Sequence, residues 1–238
     1  MWTILAFISA LCLGFYDISK KVALREHRVI DVLTLSVCFS ACLLCVPLLL
    51  SRFCPDLMTG TPFYVPALDG RAHLFTILKS VIVLSSWIFA YISLKHLPIS
   101  VVSPMQATRP MWTLVGALLI FGERLNTWQW IGVSLAIGTV FVFSFFTRHP
   151  RTPRKPRPSS LLPILMISVF LIISDNVYML ALRDPDSLIA VVSTIRRGGA
   201  VIGFAYGLLV LKEPDPWRKV LCMLGIGAGL ICLAIGSL

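Results

Sequence analysis

Eight stretches of this sequence run for about 20 residues each with hardly a charge inside them, and no other feature restricts the fold as much. They cover residues 2–20, 29–50, 72–94, 99–121, 128–146, 161–182, 187–211 and 217–238. A bilayer core of about 30 Å is crossed by a helix of about that length, and a helix satisfies its own backbone hydrogen bonds where no water can. The expected fold class is therefore all-α, a polytopic membrane helix bundle of about eight transmembrane helices. A composition that is 57% hydrophobic and 13% charged, with a mean hydropathy of +0.88, lies outside the range of soluble domains. The runs occupy most of the chain, so the bundle leaves no room for a separate soluble domain, and the lipid bilayer is its principal partner.

The formal charge of +10 does not point to nucleic acid, because the basic residues sit in the loops between runs. Between the fifth and sixth runs lies a stiff linker carrying Arg148, Arg151, Arg154, Lys155 and Arg157 among four prolines. Arg25 and Arg28 follow the first run, with Lys20 and Lys21 at its edge, and Lys212, Arg218 and Lys219 follow the seventh. The other side holds Arg52, Arg71, Arg124 and Arg183. Loop charge thus predicts that the odd-numbered loops are cytoplasmic and both termini outside, in a plasma (inner) membrane. No Lys or Arg precedes the first run and no small-residue cleavage site follows it, so it is expected to remain as a helix. The 7 cysteines lie almost entirely in apolar runs without metal-ligand spacing, and neither a metal nor a cofactor is expected.

Sliding the sequence against itself by 90 residues sets Ile99, Val101, Val102 and Ser103 on Ile189, Val191, Val192 and Ser193. Leu118 and Leu119 then meet Leu208 and Leu209, and Glu123 meets Glu213. The matched stretches are the fourth and seventh runs, which cross the membrane in opposite directions, so the repeat is inverted. Inverted repeats build secondary transporters, with the solute near the bilayer midplane.

The residues from Trp87 to Phe143 resemble the EamA-type domain of the drug/metabolite transporter superfamily. The matching features are the helix end from Tyr91 to Leu97, Ser103 with Pro104, Pro110, the run Gly116, Ala117, Leu118, the turn Gly122, Glu123, Arg124, Leu125, and then Gln129, Trp130, Gly132 and Gly138. Tyr178, Ser187 to Ser193 and Glu213 resemble the closing part of the same domain. The resemblance implies a transporter of five plus five helices with both termini cytoplasmic. Here the expected division is a five-helix repeat at 1–147, a basic Pro-rich linker at 148–160 and a shortened three-helix repeat at 161–238, and the loop charges oppose the family's orientation.

Ionisable groups deep in a bilayer need a reason. Asp17, Lys20 and Lys21, spaced to lie on one helix face, are expected to pair locally and to snorkel. Glu123 and Glu213 end their runs and are expected to be turn residues. Arg109 stands about eleven residues into its run, too deep to snorkel easily, and Arg196 and Arg197 lie comparably deep in the seventh. Pro110 follows the first, and Gly198 with Gly199 follow the others; both elements weaken a helix. Asp175 is the obvious counter-charge, with Asn176 and Tyr178 beside it, and a bridge from it to Arg196 or Arg197 that only fastens helices is the alternative reading. Three deep guanidiniums against one deep carboxylate predict a site for an anionic or zwitterionic solute, since guanidinium suits carboxylate and phosphate. Trp87, Tyr91 and Gln106 are candidates to line the same cavity. The glycines Gly199, Gly203 and Gly207, and likewise Gly225 and Gly229, suit close packing or a homodimer.

The function predicted is a secondary transporter of a small metabolite or drug-like solute. The alternative is a degenerate, non-transporting membrane partner or scaffold, which the missing helices would explain. An enzyme is not expected: no HExxH, GxSxG or paired catalytic carboxylates occur, and His27, His73, His96 and His149 all lie near loops.

Overall fold

The computed structural model describes residues 2–53, 56, 61, 64–65, 69–109, 112, 126–146, 161–184, 189–213 and 215–236. Among these the regular structure is helical, with no strand. The helices are α1 (Trp2–Glu26), α2 (Val29–Phe53), α3 (Gly70–His96), α4 (Ile99–Ala107), α5 (Thr127–Phe146), α6 (Leu162–Leu182), α7 (Ile189–Arg197), α8 (Gly199–Leu209) and α9 (Pro216–Gly236). By length and composition α1, α2, α3 and α6 can each cross a membrane. The all-α polytopic bundle expected from the apolar runs is the observed class. Pro110, Glu123 and the linker at 148–160 lie outside the described residues.

Two of the expected runs are interrupted. After Ala107 the backbone tightens: Thr108 N donates to Met105 O at 3.2 Å, and the Thr108 hydroxyl donates to the same carbonyl at 2.7 Å. The seventh run divides into α7 and α8 at Gly198, whose N donates to Ile195 O at 2.9 Å while Val201 N donates to Gly198 O at 3.0 Å. Bonds that reach back three residues rather than four shorten the turn and end the regular α-helical ladder.

The chain gathers into two compact units. The first combines Met1–Ile18, Leu97–Pro153 and Ile173–Leu238, and the second combines Ser19–His96 with Arg154–Ile172.

In the first unit α4 packs on α8 and α5 on α9. Val101, Ala107, Ala200, Cys222 and Ile226 form its buried apolar centre. Small residues set the spacing, as lipid-embedded helices without a hydrophobic driving force between them require. A Cβ on Gly199 would collide with the Ala10 carbonyl of α1, and one on Gly207 would come within 2.8 Å of Ile99. Gly203 meets Ser103 and Gly225 meets Thr139 in the same way, so these glycines act in packing inside the unit. Ser9 of α1 and Ser174 of α6, both wholly buried, clasp each other: Ser9 Oγ donates to Ser174 O at 2.8 Å, and Ser174 Oγ donates to Ser9 O at 2.9 Å.

In the second unit α2 packs on α3, and the Ser168 hydroxyl reaches the Ser36 carbonyl at 2.8 Å. The lysines expected to snorkel are buried instead. Lys21 donates to the Leu94 carbonyl in the last turn of α3 at 2.6 Å, and Lys20 sits 5.6 Å from the centre of the Tyr91 ring. Lys95 in turn donates to His27 O at 3.2 Å. The last carbonyls of a helix have no partner within it and carry its negative end, so inward-turned ammonium groups satisfy them better than a reach to the surface would. Outward faces are apolar, with Leu74, Phe75 and Phe89 of α3 all exposed, as a lipid-facing helix requires.

Candidate functional site

The polar residues of α6 and α7 meet in the first unit. Asp175 lies two turns before the end of α6, and Arg196 lies at the end of α7, where the ladder stops. Arg196 Nη2 makes a short ion pair with Asp175 Oδ1 and lies 3.4 Å from the Ser174 hydroxyl. Its guanidinium stands 4.5 Å from the Tyr178 ring centre, a cation–π contact. One group, Arg196 Nε, is buried without a hydrogen-bond partner among the described residues. The Asp175 side chain is 53% exposed against 17% for Arg196, so the carboxylate covers the arginine from the open side.

Arg197 is partly buried, with Arg109, Arg196, Tyr178 and Asp17 within electrostatic reach. Among the described residues no carboxylate is ion-paired with it. Arg109 is exposed, one residue beyond the interruption at Thr108, and its Nη2 lies 3.5 Å from Gln106 Oε1 of α4. The three arginines, Asp175, Tyr178 and Gln106 thus fall in one unit, and Asn176 accompanies Asp175 on α6. Trp87 and Tyr91 belong to the second unit, where Tyr91 is buried beneath Lys20.

Asp17, expected to pair with Lys20 and Lys21, also lies within electrostatic reach of Arg197. It is 7% exposed, on α1 below the Ser9 clasp. The available signal was its spacing: Ser9 and Asp17 are eight residues apart, about two helical turns, and so share a face. Its charge leaves the arginines in excess over the carboxylates in reach.

A second ionic cluster sits at the start of α4. Pro98 offers that helix no side-chain cap, and Glu213, from the turn after α8, supplies one. Ile99 N and Ser100 N donate to its carboxylate at 3.0 and 3.2 Å, the Ser100 hydroxyl adds a short contact, and Lys219 lies 3.3 Å away with 1% exposure. Lys212 and Asp215 hold φ at 49° and 57°, and this left-handed turn aims Glu213 back at α4. Glu213 is a turn residue as expected, and from that turn it stabilises another helix's positive end and its exposed N–H groups.

The model of the EamA-like transporter family matches residues 1–145. No curated protein and no solved structure matches the chain.

Proposed function

The chain belongs to the EamA-like transporter family, a family of membrane transporters of small solutes, and from that premise we propose that it is a secondary transporter whose site takes an anionic or zwitterionic solute. Arg197 is the main holder, with Arg109 and Arg196 contributing charge, Gln106 and Asn176 orienting the solute and Tyr178 giving it an aromatic wall. Asp175 occupies Arg196 in the resting site and yields to an incoming anion, as its greater exposure favours. The observation that carries this reading is a partly buried guanidinium beside two others with no carboxylate paired to it among the described residues. Such a group recovers its hydration by gripping a carboxylate or phosphate.

The two interruptions, at Thr108 and Gly198, stand 90 residues apart, the same offset that aligns the fourth run with the seventh. This supports an inverted repeat at 1–147 and 161–238 that brings weakened helices and their arginines to equivalent depths. The inner membrane is the proposed location. Uptake by purified protein in proteoliposomes tests the reading, with labelled carboxylates, amino acids, sugar phosphates and a cationic dye as candidate solutes. Saturable uptake of an anion or zwitterion is expected, reduced about ten- to a hundredfold in Arg197→Gln because a hydrogen bond to a charged group is lost. Uptake of the cation alone, or anion uptake indifferent to Arg197→Gln, overturns it; no uptake of any solute would favour a non-transporting partner protein.

A further inference from the structure

The paired helices α5 and α9 carry a groove that the solute site does not use. It has a volume of about 560 Å³ and is walled by Leu135, Gly138, Thr139 and Val142 of α5 and by Arg218 and Leu221 of α9. Leu135, Val142 and Leu221 are exposed, so the groove opens on the outer surface of the pair. Its cause is Gly138, where an added Cβ would meet nothing within 4 Å. The Thr139 hydroxyl donates to the Leu135 carbonyl at 2.6 Å, so its hydrogen is spent on its own helix, and with Ser134 it is one of two hydroxyls in a lining otherwise mostly apolar. From Leu135 to Val142 the groove runs about 10 Å along the helix, within the roughly 15 Å depth of one leaflet's hydrocarbon.

One end is not apolar. Arg218 stands exposed in the first turn of α9, next to Trp217, which is 77% exposed. An aromatic beside a basic residue at a helix end marks the headgroup level of a membrane. An apolar channel about a leaflet deep with a guanidinium at its headgroup end matches the chemistry of an anionic phospholipid. We propose that this groove binds one, with an acyl chain along Gly138 and the phosphate at Arg218.

Native mass spectrometry of the full chain, with phosphatidylglycerol and phosphatidylcholine of matched acyl chains, tests this. Phosphatidylglycerol should be retained in preference to phosphatidylcholine. Arg218→Gln should cut that retention about tenfold, the loss of one hydrogen bond to a charged phosphate. Lys212→Gln, which removes an exposed charge from the turn before α9 and outside the groove, should leave retention unchanged. Gly138→Leu, whose Cβ enters open space, should lower retention of both lipids while circular dichroism and elution stay as in the parent. Equal retention of the two lipids overturns the proposal, as does equal loss in Lys212→Gln and Arg218→Gln. So does retention indifferent to Gly138→Leu, or a two-chain species that Gly138→Leu abolishes without any change in lipid.

Discussion

At the scale of single residues, the deepest charges divide into those the fold consumes and those it leaves in excess. Glu213 is consumed: its carboxylate satisfies two backbone N–H groups of α4 and neutralises Lys219, whose side chain is 2% exposed. Removing one partner of a buried pair leaves the other uncompensated, whereas replacing both by neutral groups costs far less. Glu213→Gln should therefore lower stability by about 3 kcal/mol, and Glu213→Gln combined with Lys219→Met should recover much of that loss. Thermal unfolding of the purified variants in detergent measures both, and a double variant no more stable than Glu213→Gln alone would show that the pair is not the source. Of the candidate site, the Arg196–Asp175 pair was legible in the sequence because opposite charges set inside two apolar runs have few other partners. Asp17 and the Glu213–Lys219 cluster were not. Asp17 follows from a shared helix face across a helix longer than its apolar run, and Glu213 follows from two left-handed residues whose turn direction no hydropathy pattern records.

At the scale of elements, helix positions were legible and helix spacing was not. The run at 161–182 became α6 (Leu162–Leu182) and the run at 72–94 became α3 (Gly70–His96), because length and apolarity decide where a chain crosses lipid. The run at 187–211 became two helices, since Gly198 allows a tightened turn that hydropathy does not register. How closely the helices approach depends on side-chain size at a few contacts. Gly199 touches the α1 backbone at Ala10, and any side chain there must push α8 away. Gly199→Val should destabilise the fold by about 2 kcal/mol or more, in the range of overpacking substitutions. Gly138→Ala, on an open helix face, should be neutral or slightly stabilising because alanine favours the helix. The same unfolding measurement separates them, and similar midpoints for the two variants would mean that α1 and α8 tolerate separation.

At the scale of the whole molecule the open quantity is which side of the membrane each loop faces, and the structure alters the arithmetic of loop charge. Lys20, Lys21 and Lys219 stand at odd-numbered loops in the sequence but are buried, where Lys20 lies over the Tyr91 ring, Lys21 satisfies a helix end and Lys219 pairs with Glu213 rather than facing lipid headgroups. Discounting them leaves Arg25, Arg28, Lys95, Lys212 and Arg218 on that side, together with the five basic residues of the linker. The even-numbered loops have Arg52, Arg71, Arg124 and Arg183. The bias keeps its sign after the correction, and basic residues close to the ends of membrane spans are the ones that set orientation. The odd loops should accordingly be cytoplasmic, the reverse of the arrangement the family resemblance implies. Arg28→Cys in the turn after α1 and Asp56→Cys after α2, both at exposed positions, report the two sides in a background without native cysteines. In intact cells a membrane-impermeant maleimide should label Asp56→Cys and spare Arg28→Cys until the membrane is permeabilised. The opposite pattern would mean that the family's insertion order overrides the basic loops, and the proposed lipid at Arg218 would then belong to the outer leaflet.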